Sequence, residues 1–162
     1  MNKLRIGHGF DVHRLAPSRP LILGGMRIEH SLGLAGHSDA DVLLHAISDA
    51  LLGAAGLPDI GQQFPPDDAQ YKDADSAQLL SRVMGMVREA GFDMILSLDA
   101  VIMAERPKLN PHIPAMRRKI AGVLGIDEAL VGIKATTTEG LGFVGREEGI
   151  AASAVCLIGS DG

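Results

Sequence analysis

The sequence predicts an α+β fold, an α/β sandwich in which one mixed β-sheet carries helices on one face. Three observations carry that expectation. Strand-like apolar runs and helix-periodic stretches follow one another in the order β-β-α-α-β-α-β-β. The 162 residues show no linker and no internal repeat, so residues 1–162 read as a single domain. Two of the strand candidates, Met94 to Ala104 and Ile150 to Ile158, are apolar on both alternating faces, which suits a sheet covered on both sides.

The elements follow from local chemistry. Residues 3–13 read as an extended start rich in Gly and His. Pro20 to Leu23 is a short strand ended by Gly24-Gly25, and Met26 to Ile28 extends it as a hairpin. Asp39 to Ala55 is the clearest helix, with Leu44, Ile47 and Leu51 at helical spacing; Ser38 or Asp39 serves as its cap, and Gly56 with Pro58 stops it. Residues 57–75 form a polar, Pro- and Asp-rich loop, long enough to be functional or mobile. Ser76 to Ala90 is a second helix, with Leu79, Leu80, Val83 and Val87 on one side and Gly91 beyond its end. Met94 to Ala104 is a strand, Pro111 to Leu124 a third helix with Pro in its first turn, and Val131 to Thr138 a β-branched strand. Ile150 to Ile158 fits strand or helix by periodicity; its lack of charge and the glycine-rich turn before it favour strand.

Composition excludes several function classes. The net charge is −5, from 15 basic and 20 acidic residues, with no basic block and only 3% aromatics. That argues against a nucleic-acid surface or a base-stacking platform. An anionic substrate has to be held by local Lys/Arg, backbone amides or metal ions. The one cysteine, Cys156, rules out an intramolecular disulfide and reads as a small buried core residue. No apolar run approaches the ~18 residues of a membrane span, and the first residues carry no signal-like pattern, so a cytoplasmic protein is expected.

The chemistry-bearing residues are few. Asp11 and His13 are alternate residues of an extended segment and so share one face, a workable half-site for a metal. Alone, the pair fits a solvated acid and a structural histidine equally well. His45 alters the balance, because it interrupts an apolar helix, with Asp41 and Asp49 four residues to either side. One Asp and two His leave a fourth tetrahedral position free, the pattern of a catalytic zinc site, and Asp41 or Asp49 is then available to orient His45. His37 and Ser38 precede this helix, whose N-terminus offers N–H groups to an anion. Lys134 to Glu139 brings three threonines and a carboxylate, suited to a phosphate and its Mg²⁺ ion. Gly140 to Gly145 formally matches G-x-G-x-x-G. It lacks the following helix and βαβ unit of a dinucleotide site, so the glycines read as a tight turn.

Taken together, Gly7-His8-Gly9-Phe10-Asp11-Val12-His13, Gly36-His37-Ser38-Asp39-Ala40-Asp41-Val42 leading to His45, Asp59-Ile60-Gly61, and the stretch Lys134 to Arg146 resemble the 2-C-methyl-D-erythritol 2,4-cyclodiphosphate synthase family. The likeness spans nearly the whole chain. It implies zinc, or another divalent transition metal, on Asp11, His13 and His45, and His37 with Ser38 at the reacting phosphate. It implies an erythritol contact at Asp59, Ile60 and Gly61. It implies a cytidine pocket in the Ala104-Glu105-Arg106-Pro107-Lys108-Leu109-Asn110 loop, with Thr136 and Thr138 in its wall. Glu139 is implied to hold Mg²⁺ or Mn²⁺ on the substrate diphosphate, and Thr137 to supply a catalytic hydroxyl. The family forms trimers with active sites between subunits. Its central cavity, lined here by Phe10, Phe143 and Arg146, is a place for an isoprenoid diphosphate. The family's Phe-Pro-Asp-Thr-Asp loop reads Phe64-Pro65-Pro66-Asp67-Asp68 here, so Pro66 removes a carboxylate and an N–H while Asp68 keeps its place.

The implied reaction is attack of the 2-phosphate of 4-diphosphocytidyl-2-C-methyl-D-erythritol 2-phosphate on the β-phosphorus, releasing CMP and a cyclic diphosphate for the non-mevalonate isoprenoid pathway. The phosphomonoester nucleophile, with a second pKa near ~6, is anionic at neutral pH and needs no strong base. Two other classes remain at this level. Two His and one carboxylate also make the facial triad of a non-haem iron enzyme, and a fourth protein ligand would make the ion purely structural.

Overall fold

The computed structural model describes residues 3–65 and 67–160. Its long first strand, β1 (Lys3–Ala16), runs antiparallel to β7 (Gly149–Ser160), which pairs antiparallel with β5 (Met94–Met103). Beyond β5, β6 (Val131–Thr136) runs parallel to it, and the two-residue β4 (Gly33–Leu34) pairs with the end of β1. The five-stranded order is therefore β4-β1-β7-β5-β6, a mixed sheet as expected. The hairpin of β2 (Leu21–Leu23) and β3 (Met26–Ile28) stands apart as its own small sheet.

Helices α1 (Val42–Ala55), α3 (Ser76–Glu89) and α4 (Ile113–Leu124) supply the helical layer. Two glycines decide how closely it lies on β1. A Cβ at Gly7 would stand 1.9 Å from the Ala50 carbonyl oxygen, and one at Gly9 1.9 Å from that of Ala46. Only bare backbone lets α1 approach the strand this closely. Along the same face of the sheet, Leu98, Ala100, Ile102, Cys156 and Ile158 are buried with Leu43, Leu44, Ile47 and Leu51 of α1 and Leu80, Val83 and Val87 of α3. Burial pushes the Cys156 thiol up to about 11, in line with an inert core residue.

The opposite face lies away from the layer of α1, α3 and α4. Leu4, Ile6, Phe10 and Val12 of β1 and Val155 of β7 point there, and Ile6 is 74% exposed. None of the helices among the described residues is long and apolar enough to cross a membrane.

Several elements differ from expectation. The first helix begins at Val42, and its cap is Asp41, whose side chain accepts from Leu44 N–H; Ser38 and Asp39 lie upstream of the cap. Residues 57–75 are not structureless, since they hold α2 (Ile60–Gln63) and a 3₁₀ turn at Ala69–Tyr71. The third predicted helix begins with a 3₁₀ turn, Asn110–His112, before α4 proper. The strand expected to reach Thr138 ends at Thr136. The glycine-rich stretch is a short turn of helix, α5 (Gly142–Gly145); Gly140 and Gly142 take positive φ of 75° and 68°.

Candidate metal centre and substrate cavities

Asp11 and His13 lie on the helix-facing side of β1, in line with Gly7 and Gly9. The close approach permitted by those glycines brings His45, one residue before Ala46, over both of them. Asp11 Oδ2 is 2.9 Å from His13 Nε2 and 3.2 Å from His45 Nδ1, and the two histidine nitrogens are 3.1 Å apart. These three form a potential metal-binding group, and all three are half-buried. Donor separations near 3 Å suit ligands that share one ion at bond lengths of ~2.0–2.2 Å. One Asp and two His, without cysteine, fit a borderline cation such as zinc or iron.

Each histidine is held from behind. His13 Nδ1 donates to the Ala35 carbonyl at 2.9 Å, which leaves Nε2 facing the cluster. His45 Nε2 lies 2.9 Å from Ser76 Oγ and 3.3 Å from Ser38 Oγ, which leaves Nδ1 facing inward. Burial works against the Asp11 charge. The hydrogen bonds and positive charges of His13 and His45 outweigh it, holding the carboxyl well below the usual range. Burial likewise disfavours a charged His13, but Asp11 and the Ala35 carbonyl raise its pKa on balance.

The triad opens into a cavity of ≈ 230 Å³ whose walls include His37, Ser38, Ile60, Gly61, Phe64 and Tyr71. His37 Nε2 is 3.2 Å from the Asp68 carbonyl oxygen, and Ser38 Oγ accepts from Ala40 N–H. Asp59 is exposed and caps α2 through Gln62 N–H. Phe64 is buried edge-to-face against Tyr71, with ring centroids 5.3 Å apart. The Asp68 side chain caps the turn that follows it by accepting from Gln70 N–H. Pro66, the departure from the family pattern, lies outside the described residues.

Two expectations about the acids around His45 are corrected. Asp41 does not orient it. That carboxylate is fully buried and accepts from Leu44 N–H and from both Gly24 and Gly25 N–H, tying the β2–β3 turn to the start of α1. Asp49 instead accepts from Ile60 N–H at 2.8 Å, joining α1 to α2. Within α1 itself, the Asp41 side chain takes up the Leu44 N–H at the start of the helix.

A second cavity, of ≈ 240 Å³, lies by the end of the edge strand β6 and is lined by Ala104, Glu105, Pro107, Lys108, Leu109, Asn110, Ala135, Thr136 and Thr137. It shares no lining residue with the first. β6 stands three strands from β1, roughly 14 Å at ~4.8 Å per strand. Glu105 carries a role beyond its place in the loop Ala104 to Asn110. It accepts from Thr138 N–H at 2.9 Å and Gly140 N–H at 3.3 Å, and these amide bonds, Thr138 first, lower its pKa. It thus shapes the loop that presents Thr137 and Glu139. No spacing rule reveals such a side chain, because its partners are backbone amides 33 and 35 residues away.

Thr138 is half-buried, with its hydroxyl donating to Leu141 O at 2.7 Å, and the Glu139 side chain is exposed on a left-handed backbone, φ 56°. Phe143 borders a third cavity with Val12, His13, Arg14, Glu148 and Gly149. Arg146 is exposed and pairs with Glu148 at 3.2 Å.

Comparison with known proteins agrees with this architecture. The model of the YgbB family matches residues 4–159. The 2-C-methyl-D-erythritol 2,4-cyclodiphosphate synthase of Porphyromonas gingivalis is 62% identical over 154 residues, 95% of this chain and 94% of that protein. The bifunctional IspDF from Campylobacter jejuni superposes with a TM-score of 0.95 at 44% identity, covering 99% of this chain; this chain spans 43% of that longer one. The CDP complex of IspF from Plasmodium falciparum gives 0.86 at 31% identity, covering 100% and 99%. A match this complete over sequence and fold, on a chain that assembles the Asp-His-His cluster, shows that the chain belongs to the YgbB family of 2-C-methyl-D-erythritol 2,4-cyclodiphosphate synthases.

Proposed function

We propose that this chain converts 4-diphosphocytidyl-2-C-methyl-D-erythritol 2-phosphate to 2-C-methyl-D-erythritol 2,4-cyclodiphosphate and CMP, as a phosphorus–oxygen lyase of the non-mevalonate isoprenoid pathway. The observation that carries this reading is the Asp11–His13–His45 cluster at a cavity lined by His37, Ser38, Ile60 and Gly61. In this reading Asp11, His13 and His45 hold zinc or another divalent transition metal, and Glu139 holds Mg²⁺ or Mn²⁺ with the diphosphate. These ions supply positive charge that lets two phosphates approach in an acidic protein. His37 and Ser38 donate to the reacting phosphate, and Thr137 adds a hydroxyl to the transition state. Asp59, Ile60 and Gly61, with Phe64 and Asp68 beside them, hold the erythritol unit folded for ring closure. Ala104, Pro107, Lys108 and Leu109 receive the cytidine, flanked by Thr136 and Thr138.

The nucleotide cavity and the metal cavity of one subunit are separate, and the sheet face away from α1, α3 and α4 exposes Leu4, Ile6, Phe10, Val12 and Val155. Both features support a homotrimer, packed on that face, in which the metal cavity of one subunit meets the Thr136–Thr137 wall of the next. Phe10, Phe143 and Arg146 would then line the axis, where an isoprenoid diphosphate fits. Incubation with the cytidyl substrate, followed by phosphorus NMR, is the direct test. CMP and a cyclic diphosphate are expected, and intact substrate in the presence of zinc and Mg²⁺ would overturn the reading. Full turnover by EDTA-treated enzyme refilled with zinc alone would remove the role of Glu139. A non-haem iron enzyme would show bound iron and oxygen consumption. Among the described residues the cluster has three protein donors, which favours a catalytic over a structural ion.

A further inference from the structure

His45 has two ring nitrogens, and only Nδ1 faces Asp11 and His13. For Nδ1 to bind an ion, its lone pair must be free, so the ring proton has to sit on Nε2. What lies behind Nε2 therefore bears directly on metal binding. The nearest group is Ser76 Oγ, at 2.9 Å, on a residue only 1% exposed. Ser76 Oγ in turn makes a short hydrogen bond to Asp39 Oδ1, and Ser76 N–H donates to Asp39 Oδ2 at 3.0 Å.

The proton count along this chain is determined at its acid end. A carboxylate only accepts, so the single hydroxyl hydrogen of Ser76 goes to Asp39. The serine oxygen then presents lone pairs to His45 and accepts the Nε2 proton. Ser38 Oγ is also within 3.3 Å of Nε2, but it is farther away and already accepts from Ala40 N–H. The same residues join separate parts of the fold. Asp39 precedes α1, and Ser76 is the first residue of α3, just after the 57–75 segment. Asp39 N–H also donates to Ala74 O, and Asp73 N–H to His37 O.

We propose that Ser76 and Asp39 are positioning residues for the metal ligand His45, forming an Asp39–Ser76–His45 chain that directs the Nδ1 lone pair at the ion. The inference rests on the reading of the triad as a metal site. Truncating Ser76 removes the acceptor behind Nε2. Asp39→Asn leaves the serine in place but disturbs the direction of the chain. An amide NH₂ turned to Ser76 Oγ sends the serine hydrogen back toward His45, and turned to Ser76 N–H it sets donor against donor.

The test uses full-length protein, stripped of metal and titrated with zinc against a chelating dye. Ser76→Ala and Asp39→Asn are each expected to bind zinc roughly 10–100-fold more weakly than the unsubstituted protein. In the zinc-loaded protein, the His45 Nε2–H is expected as a slowly exchanging proton in ¹⁵N-edited spectra, and to exchange rapidly in Ser76→Ala. Zinc affinity within twofold of the unsubstituted protein in both variants overturns the proposal. So does a lower metal-free melting temperature with unchanged zinc affinity, because that marks a merely structural contact. If Ser76→Ala does not fold, Asp39→Asn decides by the same measurements. Failure of the metal reading itself looks different: the unsubstituted protein and His45→Ala would bind zinc equally poorly, and the proposal would fall with it.

Discussion

His45 sits in a helix otherwise built for the core, and the fold gives it no apolar job. Replacing it with Ala removes one of three donors without opening a large void, so the metal-free fold should survive. His45→Ala is expected to lose stoichiometric zinc and activity, with a metal-free melting temperature within a few degrees of the unsubstituted protein. Atomic absorption checks the first and calorimetry the second; full zinc retention would take His45 out of the site. Asp41 makes the contrasting case. Its buried carboxylate satisfies three backbone N–H groups, and each buried donor left unpaired costs about 1–3 kcal/mol. Asp41→Ala should therefore cost about 3 kcal/mol or more in urea unfolding. Burial raises the Asp41 pKa, against the pull of its amide partners and with a push from nearby Asp39. A carboxyl whose folded pKa is raised holds its proton more tightly folded than unfolded. Its contribution to stability thus falls as pH rises from about 4, the unfolded value, through the raised folded value. Relative to the non-titrating Asp41→Asn variant, the unsubstituted protein should be more stable at pH 4 than at pH 7. An equal difference at both pH values would refute the raised pKa. The three residues of the cluster were legible in the sequence, since Asp11-x-His13 follows strand alternation and His45 breaks an apolar helix. The work of Asp41 and Ser76 was not, because their partners are set by where the chain turns rather than by any local period.

At the scale of elements, the Asp11–His13–His45 cluster depends on two glycines that carry no chemistry. A Cβ at Gly9 would press against Ala46 O at 1.9 Å and Ala50 N at 2.7 Å, both main-chain atoms of α1 that cannot rotate aside. Gly9→Ala must push α1 away from β1, carrying His45 away from Asp11 and His13. Expected are a loss of about 1–3 kcal/mol in unfolding free energy and weaker zinc binding, measured by urea titration and chelator competition. Unchanged values in both would mean that α1 has slack the close contact denies. The helices α1, α3 and α4 were readable because each is long and periodic, whereas β7 was readable only from its lack of charge and the glycine-rich turn before it, since periodicity left it open. The ends were less so. The sequence extended the sixth strand to Thr138 on β propensity, yet Glu105 draws the Thr138 and Gly140 amides away from the sheet, leaving Thr137 beyond its end. The segment 57–75 looked like loop because α2 and the following turn are too short to show a period. They are held instead by Asp59 and Asp68 caps.

At the scale of the whole molecule, the sheet leaves the face away from α1, α3 and α4 exposed. Leu4, Ile6, Phe10, Val12 and Val155 are exposed together on that face, a cluster rather than scattered single residues. The sequence indicated this through strands apolar on both sides, but it specified three-fold closure only through the family resemblance. Light scattering should give about three times 17.0 kDa. Subunit mixing tests the stronger claim, that sites are shared. His45→Ala damages the metal wall of a site and Thr137→Val the opposite wall. If each site takes one wall from each of two neighbours, both homotrimers are inactive. A mixed interface is intact wherever a Thr137→Val subunit supplies the metal wall and a His45→Ala subunit supplies Thr137. Random equimolar assembly of closed trimers makes about a quarter of the interfaces of that kind. Co-refolding the two variants should therefore restore roughly a quarter of the unsubstituted turnover, measured as CMP release. Mixing already folded trimers should restore activity only as fast as subunits exchange. If each site lay wholly within one subunit, every site in the mixture would carry one lesion, and co-refolding would leave activity at the level of the separate variants.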